Sequence, residues 1–242
     1  MVWNPLPRSI ARSCALLLLA TSTIAAAPQQ DPPRPASPKV PVQKISANLY
    51  RLGSIQVDTQ KREATVAGKV NEATVLEFVA NTVNGMKAYE SALTLETDAV
   101  TFNAALLLIG LDPARARVPT QHFDPIPPSG DPVEIFVEWN RGKGPERVPI
   151  ETLLFDKRTN KPLPEGPWVY TGSSFVEGKY RADLDGVLIG FVHSPSPIIE
   201  NPRDGAVGAF GAVVLNPNLG LPAGTPVTVT VKALGPARER TK

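Results

Sequence analysis

The most telling run of polar and apolar positions spans residues 89–110, YESALTLETDAVTFNAALLLIG. Over residues 89–96 the chain alternates. Tyr89, Ser91, Leu93 and Leu95 fall on one face of an extended strand, and Glu90, Ala92, Thr94 and Glu96 on the other. Thr97 or Asp98 then offers a side-chain oxygen to free backbone N–H groups, which predicts a helix start. Phe102, Leu106 and Ile109 recur at helical spacing, and Ala105 and Leu108 widen that stripe until most of the helix is apolar. Gly110 supplies a left-handed stop and Pro113 prevents continuation. A helix this apolar has to be covered, so it is expected against the concave face of a sheet.

Strand patterns surround it. Alternation over 55–58 and 64–70, on either side of the polar residues 59–63, predicts an antiparallel hairpin with one wet face. A short strand is expected at 75–80, followed by a turn at Asn84-Gly85. Val133, Ile135, Val137 and Trp139 alternate over a longer strand, which turns through 140–145 and returns from Arg147. Residues 151–156 fit a strand or one helical turn, and Trp168-Val169-Tyr170 a strand. Strands at 180–184 and 187–192 would flank Asp185-Gly186, a two-residue hairpin signal. Residues 206–211 are small and apolar, and 225–232 (TPVTVTVK) is a last strand of strict alternation. The expected fold is α+β, a predominantly antiparallel sheet packed on one main apolar helix at about 98–110. It fills a single β-rich domain over 47–232.

Composition changes the picture at the ends. Residues 1–26 carry Arg8 and Arg12, then the apolar run CALLLLA and small residues for cleavage, which reads as a signal peptide. Six of the 26 prolines fall in residues 28–41, so 27–46 reads as a stiff, solvated linker. Residues 233–242 read as a charged tail. The chain is therefore expected to be exported, to the periplasm or beyond the cell, with no membrane span left after cleavage. Removing the two leader arginines from the 25 basic residues leaves 23 against 23 acidic ones. A neutral surface gives no electrostatic case for nucleic acid. The one cysteine, Cys14, leaves with the leader, which excludes disulfides, thiolate metal sites and a cysteine nucleophile from the mature chain.

Four pieces together resemble the YdjY-domain family of bacterial proteins. They are Tyr89-Glu90-Ser91 leading into residues 104–111 (AALLLIGL), residues 133–139 ending in Trp139, residues 168–173 (WVYTGS), and residues 180–183 (YRAD) with Gly186 and Ile189. Gly224-Thr225-Pro226-Val227 is similar to that family's closing strand. The resemblance runs from about Ile55 to Lys232. It implies an exported domain and prescribes no chemistry.

Candidate chemistry is sparse. Glu90 and Ser91 are the polar pair beside the helix, but alternation turns them to opposite faces, so neither can activate the other. Glu90 could pair with an arginine such as Arg181. His122, Asp124 and His193 would suit a two-histidine, one-carboxylate metal site if loops 71 residues apart met. A surface role for His122 is simpler, and no metal site or cofactor is expected. Asp183-Leu184-Asp185-Gly186 resembles part of a calcium loop, but Arg181 and Val192 stand where ligands are needed. Gly172-Ser173-Ser174 lacks the frame of a nucleophile elbow and suits a tight bend. Trp168 and Tyr170, with Trp139, could form an aromatic platform, although aromatic residues in strands are more often core. No catalytic residue is assigned. Glu90, Ser91, Asp183, His193, Trp168 and Tyr170 are the binding candidates, for an envelope protein or a ligand not identifiable from sequence. The alternative is a hydrolase or metal-assisted enzyme using Glu90, His122, Asp124, Asp183 and His193. That alternative requires those side chains to converge in one pocket.

Overall fold

A computed structural model describes residues 40–140, 142, 144–203 and 211–235. The leader, most of the proline-rich stretch, most of 206–211 and residues 236–242 of the tail lie outside the described residues.

The strands in chain order begin with β1 (Val42–Lys44), β2 (Leu49–Leu52), β3 (Ile55–Asp58), β4 (Glu63–Val70), β5 (Phe78–Thr82) and β6 (Ser91–Leu95). Helix α1 (Ala99–Leu108) follows β6. Next come β7 (Asp131–Asn140), β8 (Pro145–Pro149), β9 (Leu154–Asp156), β10 (Lys161–Pro162), β11 (Trp168–Tyr170), β12 (Phe175–Val176) and β13 (Lys179–Tyr180). The short helix α2 (Arg181–Asp185) leads to β14 (Val187–Gly190), β15 (Ile199–Glu200), β16 (Val213–Leu215) and β17 (Pro226–Ala233). The main sheet runs β1-β2-β3-β4-β17-β7-β11-β15-β14-β5-β6, with β8 added beside β7 and a further pairing of β4 with β6. That last pairing closes the eight strands from β4 through β17, β7, β11, β15, β14 and β5 to β6 into a barrel-like ring. Strands make up 40% of the described residues and helices 15%, so this part of the chain is mostly β, with less helix than the α+β expectation implied.

The antiparallel expectation holds for β3 with β4, β4 with β17, β17 with β7 and β7 with β8. It fails at two pairs. β5 runs parallel to β6, and β14 parallel to β15. The two halves of the ring differ in burial for a related reason. β4, β7 and β17 alternate between buried and more exposed residues, as strands with one wet face do. β5, β6, β11, β14 and β15 are buried at every position. Parallel pairing needs crossover chain laid over a face, and that covering removes the wet side. Closure itself depends on Gly68, where a Cβ would lie 2.5 Å from the Thr94 carbonyl oxygen of β6.

Helix α1 starts where the sequence places it. The Asp98 carboxylate accepts bonds from the Thr101 N–H and the Thr101 hydroxyl, each at 2.7 Å. Ala99, Phe102, Ala105, Leu106 and Ile109 are buried, and the helix packs on β3, β14 and α2. Gly110 takes the left-handed conformation at φ +88°. Asn103 accepts a 2.7 Å bond from the Tyr170 hydroxyl, and the Ile109 carbonyl accepts one of 3.0 Å from Arg62 Nε. Asp98→Ala should cost about 1 kcal/mol, read as a lower urea midpoint, whereas Asp98→Asn should keep most of the cap. Equal losses in both variants would show that charge, not the accepted hydrogen bonds, sets the effect.

Other expectations are revised. The hairpin around Asp185-Gly186 does not form. Residues 181–185 wind into α2, and Gly186 ends it with a left-handed φ of +67°. A Cβ at Gly186 would meet the Gly85 Cα at 2.4 Å, so this glycine is required by contact as well as by backbone conformation. Residues 151–156 contain both proposed structures, a 3-10 turn over Ile150–Leu153 followed by β9. Val42–Lys44, at the end of the expected linker, pairs with β2 as an edge strand. The 75–80 strand is shifted to Phe78–Thr82, and β15 has no counterpart among the strands expected from the sequence. The bend at Gly172-Ser173-Ser174 is present. Both Gly172 and Ser173 have positive φ, and the two serine hydroxyls donate to the Ser196 carbonyl at 2.6 Å and the Pro195 carbonyl at 2.8 Å.

Candidate functional site

The seam between the start of β5, the 3-10 turn Ala88–Glu90, helix α2 and the 193–200 loop forms a cleft of about 300 Å³. Its walls carry Glu77, Lys87, His122, Arg181, Asp185 and the serines 194 and 196. Each arrives for a local reason. Glu77 directly precedes β5, and its N–H donates to the Glu90 carbonyl at 2.9 Å, which lashes that strand to the turn. His122 comes from the proline-rich 115–131 loop. Arg181 and Asp185 stand at the two ends of α2, and the Arg181 N–H donates to the Ser174 carbonyl at 2.9 Å.

The charges form pairs. Lys87 Nζ lies 2.6 Å from a Glu90 oxygen, and His122 Nε2 lies 3.3 Å from a Glu77 oxygen. The pairing of Glu90 with Arg181 offered from sequence does not occur; Lys87 takes that place because it lies in the same turn. Burial raises the Glu77 carboxyl above its usual range, helped by the nearby Glu90 charge and opposed by His122 and Lys87. The Glu90 hydrogen bond raises Lys87 and keeps it charged. The Ser196 hydroxyl donates to Asp185. Two polar atoms at the cleft wall are buried with no hydrogen-bond partner, Arg181 Nε and Ser194 Oγ.

The residues singled out from sequence are scattered. Glu90 is 8% exposed and sits behind Lys87, while Ser91 is fully buried with its hydroxyl unpartnered. Asp124 does not face the cleft chemically. Its carboxylate accepts from Arg117 at 2.8 Å, the Thr120 N–H at 2.8 Å, the Thr120 hydroxyl at 3.1 Å and the Ile126 N–H at 3.0 Å. Those backbone donors, aided by Arg117, hold it well below the ordinary aspartate range and fix the loop. His193 is 1% exposed, and its Nδ1 lies 3.0 Å from the Asp124 backbone carbonyl, so Nδ1 carries the proton. The two loops therefore do meet, but through backbone, and His122 turns to Glu77 instead. Among the described residues no group of three histidine, cysteine or acidic side chains is placed to hold a metal ion. Asp183 is exposed and lines a different, smaller depression with Thr97 and Asp98. Trp168 and Tyr170 are fully buried, so neither presents a ring face to solvent. Burial raises the Tyr170 hydroxyl well above its ordinary value.

Sequence reasoning missed Glu77, Lys87, Asp185, Ser194 and Ser196 as a set. Glu77 left a trace, a lone acid inside the apolar run VLEFVA. The serines in a proline-rich loop left none.

A family model for the YdjY domain matches residues 55–232, and the chain belongs to that family. No curated protein and no solved structure matches it. Among the described residues no helix is long and apolar enough to cross a membrane.

Proposed function

We propose that this chain is an exported, non-enzymatic binding module of the cell envelope, and that its ligand occupies the cleft between β5, α2 and the 193–200 loop. One observation carries the reading. Arg181 Nε and Ser194 Oγ are buried at the wall of that cleft without partners. A buried donor left unpaired costs about 1–3 kcal/mol. Two such groups on residues that line one open cleft are unused donors that a ligand's acceptor would satisfy. The remaining charged and histidine side chains of the wall are already hydrogen-bonded or paired, which suits them to shaping the site. The leader pattern in residues 1–26 supports export. Of the five residues in the enzymatic alternative, only His122 lines this cleft.

A screen of the isotopically labelled chain against small amino acids, sugars and carboxylic acids tests the reading by amide chemical shifts. Shifts confined to residues near 121, 181 and 194–196 are expected for at least one solute class. Shifts spread evenly over the surface, or none, would overturn it. Export is tested separately by the mass of the chain recovered outside the cytoplasm, which should lack the leader.

A further inference from the structure

We infer that the ligand of this cleft carries a carboxylate, gripped by the Arg181 guanidinium with the Ser194 hydroxyl beside it; this rests on the cleft being the binding site proposed above. Two cationic side chains and one histidine line the cleft, and two of the three are committed: Lys87 to Glu90 and His122 to Glu77. Arg181 has no ion pair among the described residues, although Asp185 stands one turn away on the same helix. Asp185 instead accepts from Ser196. The guanidinium is thus, among the described residues, the cation of the wall without an ionic partner, and its Nε is already out of water.

The shape of that group selects the ligand. Nε and a terminal nitrogen form a planar fork that matches two carboxylate oxygens, and charged hydrogen bonds of this kind are about twice as strong as neutral ones. A cationic ligand would meet the uncommitted Arg181 charge in the same cleft, with Glu77 already held by His122. A phosphate dianion would fit the fork but would face Glu77 and Asp185 across the same cleft, with Glu90 behind Lys87. Like-charge repulsion grows with ligand charge, so the single charge of a carboxylate is favoured. The Ser194 hydroxyl can donate to the carboxylate as well, which would satisfy both orphaned wall atoms with one group. Arg181 is held for this role by its backbone bond to Ser174, in the first turn of a helix ended by Gly186.

Three probes decide the matter on the labelled full chain: N-acetyl-alanyl-alanine, its C-terminal amide, and inorganic phosphate. The free acid should shift the Arg181 Nε–H signal and the amides of residues 194 and 196. The C-terminal amide should bind about tenfold or more weakly, and phosphate more weakly than the acid. Arg181→Gln should lower acid affinity about tenfold, with Arg181→Lys between it and the unmodified chain, and Lys69→Gln on the far β4 face should change nothing. Equal binding of acid and amide at the cleft, or tighter binding of phosphate, overturns the carboxylate assignment and leaves the binding reading standing. Silence from all three probes while other solutes bind the cleft also overturns only this assignment. Silence there from every solute overturns both. The Arg181 Nε–H signal is read on the unmodified chain, so a variant that fails to fold does not blur the outcome.

Discussion

Phe102→Ala should destabilise the domain by about 3–5 kcal/mol, measured as the loss in unfolding free energy from urea denaturation. Phe102 is 1% exposed and is the largest side chain on the buried stripe of α1, where its neighbours are Ala99, Ala105 and Leu106. Small flanking residues leave the ring to fill the space between helix and sheet, and they cannot spread into the cavity its removal makes. Dense packing makes such a void costly, because the lining atoms lose their contacts outright. Leu107 on the same helix is 37% exposed, so Leu107→Ala should cost well under half as much. Similar losses at both positions would mean that helix propensity, not burial, governs the contribution of α1. The ring should also loosen locally, since α1 is tied to β11 through Asn103 and Tyr170.

Glu200→Gln should abolish a pH dependence of stability that the unmodified chain carries between weakly acidic and neutral pH. Glu200 is fully buried at the end of β15. One carboxyl oxygen accepts from the Ser194 N–H at 3.2 Å, and the other has no partner. Burial therefore pushes its pKa well above the ordinary glutamate value, with the Ser194 bond only partly opposing. The folded chain holds a proton here that the unfolded chain releases. Stability is then fully present below the unfolded-state pKa and declines as pH rises toward the folded-state value, by about 1.4 kcal/mol per pH unit for one proton. Glutamine is neutral throughout and keeps an acceptor for Ser194, so the variant should gain on the unmodified chain as pH rises from 5 to 7.5. Asp124 has the opposite sign. Its depressed pKa gives stability that is lost as pH falls, but both chains share it and the comparison cancels it. Parallel stability profiles for the two chains would show that Glu200 ionises freely when folded. Because Ser194 links Glu200 to the cleft wall, the same titration should be visible at the Ser194 amide.

Local physics explains which parts of this molecule could be read from its residues. The cap at Asp98, the apolar rod behind it and the stop at Gly110 depend on neighbours within a few positions, and each stands where the pattern put it. The alternation in β4, β7 and β17 was equally legible, because one face of each strand meets water. The family resemblance draws on α1, β7 and the start of β17, together with residues 168–173 and 180–189, and the family match covers them. Asp185-Gly186 misled for a physical reason. A glycine with positive φ serves a helix end as well as a hairpin, and only the packing of Gly186 on Gly85 separates the two.

The residues alone thus determined the helix, the wet-faced strands and the exclusion of thiol chemistry from everything after Cys14. Tertiary structure decided the rest. A strand's period names neither its partner nor its direction, so the parallel pairs β5–β6 and β14–β15 and the ring closure at β4–β6 were not encoded in it. The cleft belongs to the same class. Glu77, Lys87, His122, Arg181 and Ser194 come from separate segments of the chain, and only Glu77 stands out in its own. Their chemistry arises from juxtaposition, which committed Lys87 and His122 to carboxylates and left Arg181 buried at Nε with no partner among the described residues.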